Sequence, residues 1–245
     1  MIKERPLFRR RLKTSWRQFL EATLKIPCRS VYGIPSALFR RLPRAKPIQL
    51  VDVGAHNGDF TFGLACWCGL ECAVLVEPLP HKAAQLRERF RPPHYQVFEC
   101  ALAAEAGVAE LRVNTMEEAT SSLLPIRREM PELSALVLGE EKIIRCAQRT
   151  LDNVIAEARF AQVDLLKLDV QGAEHLVLAG ATQMLRRTAM VWTECSFKPL
   201  YTGSSTFADI YTMLEGAGFR MLELSAGIRS PTGEMLQVDA LFDRR

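Results

Sequence analysis

Short apolar runs alternate with amphipathic stretches from residue 48 to residue 242. The runs at 48–53, 72–77, 95–100, 165–170, 190–195, 219–224 and 235–242 read as strands, the first of them a short apolar run of the kind buried on both faces. Between them, 60–68, 81–90, 151–158, 206–217 and a stretch after Val170 through Arg187 carry apolar residues at helical spacing. A hairpin is expected near 102–113 and a strand at 143–146, whereas 115–139 shows no clear period. This alternation predicts an α/β fold, a mainly parallel sheet with helices on both faces and right-handed crossovers. Such sheets take ligands at the carboxyl ends of their strands, where the strand order reverses.

Upstream of this body the texture differs. Phe8, Leu12, Trp16, Phe19 and Leu20 recur at helical spacing with Arg9, Arg10, Arg11, Lys13 and Arg17 between them. Residues 1–46 hold 13 Lys and Arg against Glu4 and Glu21 alone, which leaves 19 basic and 26 acidic residues for the remainder. The expected organisation is therefore a basic helical extension over 1–46 and a mildly acidic domain over 47–245. The extension suits either packing on protein or peripheral contact of residues 1–25 with an anionic membrane surface.

Composition narrows the class. The chain has 245 residues, 48% hydrophobic and 24% charged, enough for a full core. No apolar run is long enough to span a membrane. Seven cysteines without a signal-peptide pattern argue for reduced thiols and a cytoplasmic setting, with membrane association only through the extension. The body lacks the basic and aromatic interleaving of a nucleic-acid surface, so no nucleic-acid partner is expected.

The run Val51-Asp52-Val53-Gly54-Ala55-His56-Asn57-Gly58 ends the first strand in a glycine turn, a place where backbone N–H groups can meet a polar ligand. His56 replaces the second glycine of a dinucleotide fingerprint, which counts against NAD or FAD. Glu77 closes the second strand, where a carboxylate either holds a ribose or faces water. Asp169 ends the strand before Val170-Gln171-Gly172-Ala173-Glu174; it either serves the sheet's mouth or caps the next helix. Glu194 is a further carboxylate on that rim, suited to proton abstraction or to holding an ammonium or metal. Cys66, Cys68 and Cys72 lack a matching ligand pair, and neither a G-x-S-x-G elbow nor a P-loop occurs.

Together these runs resemble the FkbM family of S-adenosylmethionine-dependent methyltransferases, in order over about residues 48–243. Thr150-Leu151-Asp152, Gly180-Ala181, Leu200-Tyr201, Gly218-Phe219 and Gln237-x-Asp239-x-x-Phe242 also agree. The resemblance implies a Rossmann-like methyltransferase fold of seven strands, the last antiparallel. It implies that Asp52, Gly54 and Gly58 line the methionine end of the cofactor, that Glu77 holds the ribose, and that Cys100 and Ala101 border the adenine. Ala55, Asn57, Pro78 and Asp169 are further expected cofactor contacts. Ser121 and Ser122 fall in a loop that either covers the cofactor or is merely polar.

The expected reaction is methylation of a hydroxyl on a small molecule such as a sugar, glycan precursor or secondary metabolite. Asp169 is the first candidate general base and Glu194 the second. A divalent metal is compatible with such chemistry but has no support in the sequence. The alternatives are a non-catalytic relative that binds a nucleoside or a partner and, less favoured, an NAD-dependent oxidoreductase. Oligomeric state is not legible.

Overall fold

The computed structural model describes residues 36–42, 46–130, 139–230 and 232–245; the amphipathic stretch at 8–20, with its expected membrane contact, lies outside them. The first elements are α1 (Ser36–Arg41), β1 (Ile48–Val53), α2 (Asp59–Trp67), β2 (Leu70–Val76), α3 (Pro80–Arg89) and β3 (Tyr95–Phe98). A small insertion follows, with β4 (Ala101–Leu102), β5 (Gly107–Asn114), a 3-10 turn at Glu118–Thr120 and β6 (Glu141–Arg149). Then come α4 (Leu151–Ala158), β7 (Val163–Leu168), α5 (Glu174–Ala179), α6 (Thr182–Leu185) and β8 (Thr188–Ser196). The chain ends with α7 (Phe207–Gly216), β9 (Phe219–Leu224), β10 (Ile228–Arg229) and β11 (Met235–Arg244).

The main sheet has the order β3-β2-β1-β7-β8-β11, with β9 and β10 sharing the outer edge beyond β11. Strands β1, β2, β3, β7 and β8 are parallel, and β11 runs antiparallel to β8. The sheet thus has eight strands against the seven expected, because β9 and β10 share one edge, and its last strand is antiparallel as expected. The order reverses between β1 and β7, so the crevice for a ligand lies above their carboxyl ends.

Strand residues alternate between two cores. Val51, Val74, Leu166 and Val191 face α4 to α7, while Leu50, Leu75, Leu165 and Trp192 face α1 to α3. Leu38 and Leu42 seat the short α1 segment in the second of these cores. Thr150-Leu151-Asp152 proves to be a folding element: Thr150 caps α4, Leu151 is fully buried, and Asp152 accepts from the Gln183 and Met184 N–H groups that open α6.

Two expectations fail. The 102–113 hairpin is absent, because β4 and β5 both pair with β6, which runs between them. The helix expected to continue to Arg187 breaks at Gly180, where a Cβ would lie 2.2 Å from the Ala103 carbonyl oxygen. Among the described residues no helix is long and apolar enough to cross a membrane.

Leu166 is fully buried, whereas Val108 is 73% exposed. Leu166→Ala should therefore cost about 2–5 kcal/mol of unfolding free energy in urea, and Val108→Ala should stay within about 0.5 kcal/mol.

Candidate functional site

Register alone assembles the site. One residue past Val76, Val53, Leu168 and Thr193, the chain presents Glu77, Gly54, Asp169 and Glu194 in a row, and Asp239 continues it opposite Glu194. A cleft of about 370 Å³ opens over this row, within the usual range of small-ligand sites.

One row below, Asp52 of β1 and Lys167 of β7 are direct register partners. The Lys167 ammonium, 9% exposed, lies 3.2 Å from Asp52 and 3.5 Å from Asp169, and it donates to the Gly54 carbonyl at 2.8 Å. Burial pulls its pKa down, but Asp52 and Asp169 outweigh burial and raise it. Asp52 also accepts from Thr61 Oγ1 at 2.6 Å, which ties β1 to α2. Asp52 is fully buried and stands beneath the cleft, outside its lining. Asp169 is the half-exposed member; its Oδ1 accepts from Gln171 Nε2 at 2.8 Å. The Gln171 Oε1 in turn faces the Tyr201 hydroxyl at 3.0 Å.

Gly54 turns with φ of 72°, and a Cβ there would lie 1.9 Å from the Asp169 carbonyl oxygen. The glycine is thus required by the close approach of β1 and β7. Gly58 serves packing too: its Cβ would strike Phe90 and Leu86 of α3, and it lies outside the cleft lining. Ala55 and Asn57 do line the cleft, and Asn57 Oδ1 accepts from Lys82 at 2.8 Å.

Glu77 is 4% exposed. It accepts from the His56 N–H at 2.8 Å and the Leu79 N–H at 3.0 Å, one bond to each carboxylate oxygen. Burial raises its pKa despite those two donors. His56, at φ of 48°, spends its N–H on this carboxylate, so its backbone belongs to the acid's support. Burial, then Lys82, lowers the imidazole pKa.

Beyond Glu77 the cleft turns apolar. Pro78, Cys100 and Ala101 line this part, joined by Leu79, Leu111 and Leu123. Burial pushes the Cys100 thiol up to about 11, so it stays protonated. Leu111 and Leu123 come from the small insertion, which places residues without a sequence signal against the strand ends. Glu118, bonded to His81 and paired with Lys82, brings the 3-10 turn to the cleft wall.

The opposite end is acidic. Asp239 lines the cleft, whereas Glu194 lies outside its lining, bonded to Gln237 Nε2 at 3.0 Å. Burial and then Asp169 push Asp239 up to about 6; burial, Asp169, Glu174 and Asp239 hold Glu194 well above the usual carboxylate range. Asp169 does not cap α5; that turn belongs to Glu174, which accepts from the Val170 and Gly172 N–H groups. Glu174 is buried, and burial raises it to about 7. Sequence reasoning did not nominate Lys167, in the apolar run 165–170, or Asp239, inside the Gln237-x-Asp239-x-x-Phe242 pattern. Among the described residues no group of three His, Cys, Asp or Glu could hold a metal ion.

A family model described as the methyltransferase FkbM domain matches residues 52–221. The 2-O-methyltransferase NoeI of Sinorhizobium fredii is 28% identical over 180 residues, covering 71% of this chain and 73% of that protein. The crystal structure of methyltransferase FkbM from Methylobacillus flagellatus shares the fold, with a TM-score of 0.53 and 15% identity. The match covers 83% of this chain but only 45% of that longer protein.

Two outcomes test this electrostatic arrangement. Lys167→Met should cost about 3–5 kcal/mol at pH 7 by leaving Asp52 buried without its cation, and adding Asp52→Asn should restore most of that loss in urea melts. Glu174 holds its proton more tightly when folded, so its contribution is complete below about pH 4.5 and is lost as pH rises through about 7. Glu174→Gln should therefore gain stability relative to the wild type between pH 5 and pH 8, by up to about 3 kcal/mol.

Proposed function

The chain belongs to the methyltransferase FkbM domain family and is by that membership an S-adenosylmethionine-dependent methyltransferase; from this premise we propose that it methylates a hydroxyl oxygen of a sugar-like small molecule or glycan precursor. The observation that carries the reading is the two-ended cleft. One end is a slot of apolar side chains beside a buried acid, and the other is a row of carboxylates. This set fits the cofactor part by part. An apolar slot suits a purine, and Glu77 keeps lone pairs free for ribose hydroxyls after taking its two N–H groups. The anions near Asp169 suit the positive charges of the methionine end.

When bound, S-adenosylmethionine supplies a methyl group already activated on sulfur. The protein's task is then alignment, exclusion of water and removal of one proton. Asp169, fixed from one side by Lys167 and from the other by Gln171, is held in a single position at the cleft floor. It takes the acceptor hydroxyl's proton as general base. Glu194, the second candidate, stands outside the cleft lining, and its cross-strand neighbour Asp239 is the one that reaches the cleft. Asp239 on the cleft wall gives a polyhydroxylated ring a hydrogen-bond acceptor. The similarity to the 2-O-methyltransferase NoeI supports oxygen as the acceptor atom.

Calorimetry should detect S-adenosylmethionine binding and no binding of NAD. A metabolite pool incubated with methyl-labelled cofactor should yield a labelled methyl ether; label on nitrogen alone would overturn the acceptor assignment. Asp169→Asn should lower turnover by about 10²–10⁴-fold.

A further inference from the structure

Tyr201 is buried and lies outside the cleft lining, yet a chain of hydrogen bonds joins it to the carboxylate on the cleft floor. Its hydroxyl is 3.0 Å from Gln171 Oε1 and 3.1 Å from the Thr120 carbonyl oxygen. Gln171 Nε2 donates in turn to Asp169 Oδ1 at 2.8 Å. The directions in this chain are forced. An ionised carboxylate only accepts, so the amide must turn its NH2 group to Asp169 and its oxygen to the tyrosine. Burial, then the Glu194 and Glu174 carboxylates, raise the Tyr201 pKa, so the hydroxyl keeps the proton that it directs at these two acceptors.

The surroundings hold this chain in place. Gln171 sits at φ of 56°, a left-handed conformation that a residue with a Cβ keeps only when its neighbours impose it. Ser122 Oγ donates to the Gln171 carbonyl at 2.8 Å. Tyr201 packs over the same turn: a Cβ on Gly172 would lie 3.0 Å from Tyr201 Cδ2. On its other side the ring belongs to an apolar cluster with Met130 and Leu200, and its backbone bridges to Ile126. The small insertion and the turn after β7 therefore meet at one phenol.

We infer that Tyr201 is a positioning residue for methyl transfer: through the Gln171 amide it holds Asp169 in the orientation from which the carboxylate takes the acceptor's proton. This rests on the reading of Asp169 as general base. Lys167 faces the other carboxylate oxygen, 3.5 Å from Oδ2, so without the amide bond Asp169 is held from one side only. A misplaced base slows the reaction of bound substrate, whereas cofactor affinity is spread over the whole cleft. The signature of such a residue is a loss of rate without a matching loss of affinity.

The test compares rate with affinity on the full chain. The rate is label transfer from saturating methyl-labelled S-adenosylmethionine to a fixed metabolite pool; the affinity is that for S-adenosylhomocysteine by calorimetry. Tyr201→Phe keeps the ring, and Gln171→Met keeps the side-chain length without either bond. Each should lower the rate about tenfold and leave the affinity within about twofold of the wild type. The double variant should be no slower than Gln171→Met alone, and Tyr201→Phe should not slow the residual transfer by Asp169→Asn any further. An unchanged rate in Tyr201→Phe, an affinity that falls as far as the rate, losses that multiply in the double variant, or a tyrosine effect that persists on Asp169→Asn would each overturn the inference. A wild type that transfers no label, or an Asp169→Asn variant as fast as the wild type, would instead remove the reading beneath it, and this inference with it.

Discussion

A single buried ammonium holds the two halves of the sheet together at their most consequential point. Lys167 lies between β1 and β7, with Asp52 beside it and Asp169 above it, and it also donates to the Gly54 carbonyl where β1 turns. Two charges taken out of water repay their desolvation only when geometry and additional hydrogen bonds are good. Here the Thr61 hydroxyl donates to Asp52 and the Gln171 amide to Asp169. The charge that stabilises the strand ends is therefore also the charge that fixes the carboxylate facing the cleft.

From that pairing the cleft divides into two chemistries. Toward β2 and the small insertion the walls are hydrocarbon, interrupted by Glu77 and Ser121. Toward β8 and β11 the carboxylates crowd one another, and burial makes each reluctant to ionise beside its neighbours. One cation against several acids leaves this end able to receive either positive charge or hydroxyl protons.

The centre of the main sheet was legible because β1, β2, β7 and β8 are mostly buried, and their apolar runs leave little choice of structure. Glu77 and Asp169 were legible because strand ends beside glycine turns are few and occupy known places in such sheets. The insertion was opaque for a physical reason. Its strand β6 is half-exposed along its length and pairs on both edges with distant segments, so local periodicity suggested a hairpin that does not exist. Leu111 and Leu123 reach the cleft from that insertion and could not be nominated by any local pattern. Asp52 and Gly58 illustrate the converse: both sit in the most informative motif, yet one stands beneath the cleft and the other packs against α3. Lys167 was passed over because a lysine in an apolar strand has no meaning until its register partner is known to be Asp52.

The apolar slot is a seam. Cys100 and Ala101 lie where β3, an edge strand of the large sheet, passes into β4 of the small one, so one wall of the slot belongs to each sheet. The carboxylate row is built wholly from the large sheet and depends on its strand order. Changes of length or sequence at the outer end of the small sheet can thus reshape the apolar slot while the carboxylate row keeps its spacing. The two ends of the cleft are mounted on separate supports.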